Sequence, residues 1–466
     1  MRDATMEVIK PTIRSSSTII ISIAYSIIVY IIIFILYYFI DTNLEICFRT
    51  SAIFSLACTS IVVGWYSESK LRLPAFQANC IFYVIAFAYK PDYTSYDPRF
   101  NSGLDIRLKC MDMVVLGMLA QLAGYIITTR SFRYNYGLEL LSKISSTNLF
   151  IIAYFMVAVR WMPVIASSLN DIPSLGQICN CYGLAGISLL LYISLEKRTI
   201  ILVKLSVIIL MLLEFMIRVA SGYISQLMLP VMVLTSVYWS SRKRLPILYI
   251  IFIISAYLFF APAKADYRRL TWDQTSEYSS NSRFEKMYLF VELAVKQWTS
   301  PRISNDDILD NSTSRFSQLP YFSAVVERTP SYIPHCNGYT FSNAMYSLIP
   351  RIFWPDKPVN NLGNSVAKSY GLLDANDDAT SFNLPWIVEL YMNFGITGVL
   401  VGMFVFGIVW GVLEQLFAGP KVNSLDIVIP LSLVMTVTYA ESNIVIMWGG
   451  LLSSFASLYI TCRLFR

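Results

Sequence analysis

The residues with chemical use crowd into one stretch of this chain, from Gln318 to Gly395, and most densely into Arg351-Ile-Phe-Trp354-Pro-Asp356-Lys357-Pro. An arginine offers a planar fork that matches phosphate oxygens, and a lysine offers a mobile point charge. Pro350, Pro355 and Pro358 lower the entropy lost in holding both cations in place. Trp354 can stack on the apolar C–H face of a sugar ring. Tryptophan and basic residues also anchor chains at a membrane interface, so that role stays open. Glu389 and Asn393 follow, one helical turn apart, as a carboxylate for proton transfer and an amide to hold a substrate.

Charges inside apolar runs form the second group, because each is costly in hydrocarbon unless paired or hydrated. Arg160 lies in one such run. Glu214 and Arg218 lie in another, four apart and so on one helix face. Lys264, Arg268 and Arg269 follow a helix end, and Glu441 is expected to cap a late helix. With the topology set out below, all of them gather at one membrane face, where long side chains also snorkel to water.

Several other signals lead nowhere. Asp374, Asn376 and Asp378 imitate the start of a calcium loop, but Ala379 stands where glycine is needed and Pro385 where glutamate is needed. His335 is the single histidine and has no nucleophile motif beside it. The cysteines make no zinc pattern and read as small apolar residues. No metal and no cofactor is expected.

The elements that must position these residues are membrane helices. The chain has 466 residues, 56% hydrophobic and 14% charged, and a mean hydropathy of +0.55. A soluble domain carries about a quarter charged residues. Repeated apolar runs of roughly 20 residues predict an all-α polytopic membrane protein. Candidate spans lie at 18–40, 46–66, 74–89, 109–128, 147–167, 179–196, 199–217, 222–240, 245–262, 395–417, 425–440 and 444–462, about twelve in all. The first is expected to be a retained anchor, since no cleavage site follows it. Three regions result: an N-terminal bundle over 1–262, a large loop over 263–385, and C-terminal helices over 386–466.

Orientation follows from Lys and Arg in the connections. Lys70, Arg72, Arg130, Arg133, Lys143, Lys197, Arg198, Arg242, Lys243, Arg244, Lys421, Arg463 and Arg466 fall on one side, with the termini. That side is expected to be cytoplasmic, which puts the large loop on the periplasmic face of a bacterial inner membrane. The net charge of +6 needs no nucleic acid to explain it. Within the loop, Met287, Phe290, Val291, Ala294, Val295 and Trp298 recur at helical spacing, as do Phe316, Leu319, Phe322, Val325 and Val326. These predict short amphipathic helices on the membrane surface or over the bundle mouth. The Gly398/Gly402 and Gly407/Gly411 pairs predict close helix packing.

With these residues in view, the chain resembles a known family. Arg315-Phe-Ser-Gln-Leu, Thr329-Pro-Ser-Tyr-Ile-Pro, Gly338-Tyr-Thr, Ile349-Pro-Arg-Ile-Phe-Trp-Pro-Asp-Lys-Pro and Glu389-Leu-Tyr-Met-Asn-Phe-Gly together resemble bacterial oligosaccharide repeat-unit polymerases of the Wzy type. Pro262-Ala-Lys264 with Tyr267-Arg268 is similar to the start of that family's large periplasmic loop. The resemblance covers roughly 215–445. In the mid-chain helix the family often has an arginine just after a glycine; this chain has Ser221-Gly222-Tyr223, with Arg218 before it.

The resemblance implies a GT-C-like architecture and a metal-independent, inverting glycosyl transfer. Its substrates would be oligosaccharide repeats on undecaprenyl pyrophosphate, within the lipid bilayer, with a flippase and a chain-length regulator as partners. Arg351, Lys357, Arg268 and Arg160 would stabilise the leaving pyrophosphate. Arg218, Lys264, Trp354 and Asn393 would bind substrate. Glu389, with Glu441 behind it, would take the proton of the acceptor hydroxyl. Two other readings stay open: a lipid-linked oligosaccharide flippase or transporter, and a ligase-like or polyprenyl-phosphate-dependent transferase using Asp41 and Glu45.

Overall fold

The computed structural model describes residues 14–39, 43–67, 71–89, 98–131, 138–165, 175–196, 199–221, 228–272, 277–280, 283–299, 316–342, 344, 354, 362–377 and 383–466. Arg351 and Lys357 lie outside the described residues, as does most of the proline-rich segment around them. The described chain is helical throughout and has no strand. The helices are α1 (Arg14–Tyr38), α2 (Leu44–Trp65), α3 (Ala75–Phe87), α4 (Leu104–Ser131), α5 (Ser146–Ile165), α6 (Leu175–Glu196), α7 (Ile201–Ala220) and α8 (Met228–Arg242). They continue as α9 (Ile247–Phe260), α10 (Lys264–Trp272), α11 (Arg283–Thr299), α12 (Leu319–Arg328), α13 (Leu362–Ser369), α14 (Trp386–Ala418), α15 (Val428–Val434) and α16 (Ile444–Leu464).

Among the described residues, five helices are long and apolar enough to cross a membrane: Leu44–Trp65, Leu104–Ser131, Ile178–Glu196, Trp386–Ala418 and Ile444–Leu464. A sixth arises if Ile247–Phe260 and Lys264–Thr271, bent by 65°, count as one span. Of the other expected spans, α1 and α7 are continuous helices of 25 and 20 residues, α7 carrying Lys204, Glu214 and Arg218, and several of the rest are shorter or interrupted. Ala75–Phe87 is one short helix, and the run over 425–440 folds as turns, α15 and a 3-10 turn at Met435–Val437.

The frame is the contact between α4 and α14. A Cβ at Gly124 would enter the Phe404 carbonyl, and one at Gly407 would enter the Gln121 carbonyl. The two backbones therefore touch, which only glycine permits. Gly411 continues the seam against Thr128. Gly398 and Gly402 do something else: they face Leu390 of their own helix. Phe394 (φ −138, ψ 16) and Gly395 (φ 61, ψ −150) break α14. Trp386 then stacks on Phe406 at 4.5 Å and on Trp410 at 6.2 Å. Residues twenty apart in a straight helix would be about 30 Å apart. The first two turns of α14 therefore fold back along the rest as a hairpin, and Gly395 carries the reversal in a left-handed conformation that a side chain would strain.

The basic connections meet at one face. Arg72 donates to the carbonyls of Gly419 and Val422 at 3.3 and 2.8 Å. Arg242 donates to the Leu195 carbonyl, Trp239 Nε1 to the Leu71 carbonyl, and Arg466 to the Glu139 carbonyl. Asp426 accepts from the backbone N–H groups of Leu141 and Ser142.

The described part of the large loop packs on the bundle. The expected α12 is buried almost all round, Leu319 to Val326, rather than laid on a surface with one face free. Its N-cap residue Gln318 donates its N–H to the Ala86 carbonyl at 2.7 Å. In α11, Phe290 and Ala294 are buried, and Phe290 stacks on Tyr267 at 4.2 Å. Phe284, Tyr288, Val291, Val295 and Trp298 stay exposed along a second apolar face that points away from the protein. Replacing Gly407 with leucine should drive α4 and α14 apart, costing about 1–3 kcal/mol or more, read as a lower thermal midpoint of the detergent-solubilised protein.

Candidate functional site

Two sites emerge, one at the hairpin of α14 and one among α5, α6 and α7.

At the hairpin, Glu389 is wholly buried. Its Oε2 accepts the backbone N–H of Ile444, the first residue of α16, at 2.8 Å. The N-terminus of a helix carries partial positive charge and unmet N–H donors, so a carboxylate suits it. Asn443 is the N-cap of α16, its side chain accepting from Ile446 N at 2.8 Å. The expected cap, Glu441, does not hold this place; it lies two residues too early to reach the first helical turn. Asn393 donates from Nδ2 to the Glu389 carbonyl and to Thr340 Oγ1, both at 2.7 Å. Its Oδ1 accepts from Gly338 N at 2.9 Å. The carbonyls freed by the break at Phe394 accept Cys336 N and Asn337 N, at 2.9 and 3.2 Å. Asn393 thus fastens the segment 336–340 to the hairpin tip.

Glu441 sits at the rim of this arrangement, half-buried. Its Oε1 accepts from Asn383 Nδ2 at 2.6 Å and Gln318 Nε2 at 3.3 Å. Burial pushes its carboxyl above the ordinary carboxylate value, and the Asn383 amide and the Lys264 ammonium pull it part of the way back. Lys264 opens α10 after the 65° bend, which brings its ammonium within electrostatic reach of this carboxylate. Farther along the rim a hydroxyl chain runs from Tyr370 to Thr329 at 2.6 Å, with Tyr391 donating to the Thr329 carbonyl at 3.1 Å.

The second site is a buried ion triad. Arg160 Nε lies 3.1 Å from Glu214 Oε2, and Arg218 lies 2.7 Å from Glu214 Oε1. All three residues are buried. The Glu214 and Arg218 pairing follows from their spacing on α7, but Arg160 reaches in from α5. A Cβ at Gly183 of α6 would stand 2.6 Å from Arg160 Cγ and 2.8 Å from Cδ. Gly183 is therefore the gap through which the arginine stem passes. Cys181, within electrostatic reach of Arg218, bonds Ser454 of α16 at 3.0 Å. Ser454 is ten residues beyond Ile444, about 15 Å along α16, so both sites abut one helix.

The structure thus joins Glu389 to Asn393 and Arg160 to Arg218 through Glu214, and brings Lys264 within electrostatic reach of Glu441. Arg268 and Trp354 are partly buried. Gln318, Asn383, Asn443 and Gly183 were not anticipated. Asn383-Leu-Pro385 ahead of an apolar run is a helix-start signal that could have flagged the first turn's surroundings. Among the described residues no group of three His, Cys, Asp or Glu side chains is placed to hold a metal ion.

Replacing Glu214 with glutamine leaves two buried guanidiniums facing each other and should cost about 3–5 kcal/mol. Gly183→Val should also lower the thermal midpoint by displacing Arg160. Because both changes break one network, the double variant should lose less than the sum; unfolding in detergent measures all three.

Comparison with known proteins gives one match. Residues 76–429 fit a family described as a domain of unknown function, DUF8712. No curated protein matches the chain, and no solved structure does. The match takes in the ion triad and the α14 hairpin, stops before Glu441 and α16, and spans more than half of the chain, which therefore belongs to the DUF8712 family.

Proposed function

We propose that this protein is a glycosyltransferase of the bacterial inner membrane that polymerises oligosaccharide repeat units carried on undecaprenyl pyrophosphate. The observation that carries the reading is Glu441: a half-buried carboxylate, raised above its ordinary value, held by two amides and faced by a lysine. A general base works best when its pKa lies near the operating pH. In the reaction, the acceptor hydroxyl attacks the anomeric carbon of the donor sugar while its proton passes to the carboxylate. The bond from sugar to pyrophosphate breaks, and the lipid pyrophosphate leaves with the electron pair. Growing negative charge on it is met by preorganised cations, without metal. In this reading Lys264, Arg268 and the proline-flanked Arg351 and Lys357 would supply those cations.

This assignment moves the proton acceptor from Glu389 to Glu441. Glu389 is enclosed and spends an oxygen on the start of α16, whereas a substrate hydroxyl needs an oxygen it can reach. The gathering of basic connections at one face supports cytoplasmic termini and a periplasmic loop. About twelve spans and a GT-C-like architecture belong to the same proposal.

One observation favours a second reading, a lipid-linked oligosaccharide flippase or transporter. The folded-back hairpin and the helix start beside it resemble the broken helices of such proteins. A cell lacking the protein separates the two. Surface glycan of one repeat marks a lost polymerase, and absence of surface repeats marks a lost flippase.

With purified protein and synthetic lipid-linked repeats, Glu441→Gln should slow polymerisation by about 10²-fold or more. Product should not depend on a chelator. The rate of the unaltered protein should rise with pH along a limb lying above the ordinary carboxylate range of about 4.3, because the base must be ionised and burial raises its pKa. Lys264→Gln removes a charge that lowers that pKa, so its limb should shift to higher pH.

A further inference from the structure

α11 has more apolar surface than its packing on the protein uses. Leu289, Phe290 and Ala294 are buried in a small core shared with Val219 at the end of α7 and Phe260 at the end of α9. On the other side Phe284, Tyr288, Val291, Val295 and Trp298 recur every three or four residues as a second stripe. Nothing among the described residues covers it, and Phe284 and Tyr288 are 68% and 71% exposed. Glu285, Glu292 and Lys296 run along one edge of this stripe and are exposed as well. An apolar strip with a charged border is the pattern of a helix lying in a membrane surface.

Two helix ends fix the depth. Trp298 Nε1 donates to the Phe259 carbonyl at 3.0 Å, in the last turn of α9, which carries no charge from Ile247 to Phe260. The small core places the buried side of α11 against Phe215 and Val219, in the last turns of α7. Both helices leave apolar side chains uncovered along their length, Leu248 and Ile251 on α9 and Leu205 and Ile208 on α7. α11 therefore lies where two hydrocarbon-facing surfaces end. That is the level of the lipid headgroups, where tryptophan and tyrosine collect because each has an apolar ring and a polar tip. We propose that the second stripe of α11 is a docking surface for the phospholipid bilayer, its five side chains among the upper acyl chains and Glu292 and Lys296 in the headgroup water. This puts α11 at the edge of the bundle, beside α7 and α9, and not over its mouth. The small core shares no residue with the main one, so the bilayer serves as the second wall of the unit that carries Lys264. The proposal does not rest on glycosyl transfer.

A photoreactive diazirine amino acid tests this, placed in the full chain at Tyr288, Val295 or Glu292, one position at a time. The protein is reconstituted in vesicles of phosphatidylethanolamine and phosphatidylglycerol, and mass spectrometry of the adduct names the neighbour. Lipid adducts should exceed water adducts several-fold at Tyr288 and Val295, and the order should reverse at Glu292. Peptide adducts at Tyr288 or Val295, from a second copy or from the same chain, would overturn the proposal, and so would water adducts at all three positions. Hydroxyl-radical labelling of the unaltered protein in the same vesicles gives a second measure. Tyr288 and Tyr339 are each 71% exposed in the protein alone. Tyr288 should be labelled several-fold less than Tyr339, and equal labelling would refute the docking surface.

Discussion

A polar group in hydrocarbon has no water to fall back on, and this structure is arranged around that fact. Arg160, Glu214 and Arg218 are the sharpest case, with three charges buried together and bonded to one another. The same rule governs the seam side of the bundle. Tyr125 donates to Glu414, and Ser67 donates to the other Glu414 oxygen at 3.0 Å. Gln121 donates to Asn79 at 2.8 Å, and Asn79 to the Thr438 carbonyl at 2.8 Å. Even the broken ends of helices are met. Glu389 and Asn443 take the N–H groups of α16, and the loop at 336–337 takes the carbonyls left by the break in α14.

These pairings explain how a chain with so few charges places them. The hairpin brings Asn393 to its tip, where one side chain binds both the helix below it and the loop above it. The bend between α9 and α10 brings Lys264 within electrostatic reach of Glu441. The buried triad lies near α16 as well, since Cys181, within electrostatic reach of Arg218, bonds Ser454 of that helix. The carboxylate at the rim and the charge inside the bundle share one structural support.

Part of this was legible in the residues. Apolar run length gave helices in a membrane, and the spacing of Glu214 and Arg218 put them on one face. The arrival of Arg160 was not legible, because nothing local links α5 to α7; the signal was Gly183, a missing side chain on a third helix. The spacing of Glu389 and Asn393 reads as one helical turn, and Asn393-Phe-Gly395 looks like ordinary helix. The reversal there depends on a single left-handed glycine and on Trp386 finding Phe406 and Trp410, which is tertiary information. Gly398/Gly402 and Gly407/Gly411 look alike in sequence, yet one pair receives the hairpin and the other receives α4.

That last difference divides the molecule mechanically. Where α4 and α14 meet at Gly124 and Gly407, main chain lies on main chain and leaves little to rearrange, so that half behaves as a fixed stator. The helices beside the ion triad meet through leucine, isoleucine and phenylalanine, which exchange rotamers at little cost. Any breathing of the bundle belongs to that softer half, while the backbone bond from Trp386 N–H to the Ala440 carbonyl ties the neighbourhood of Glu441 to the rigid one.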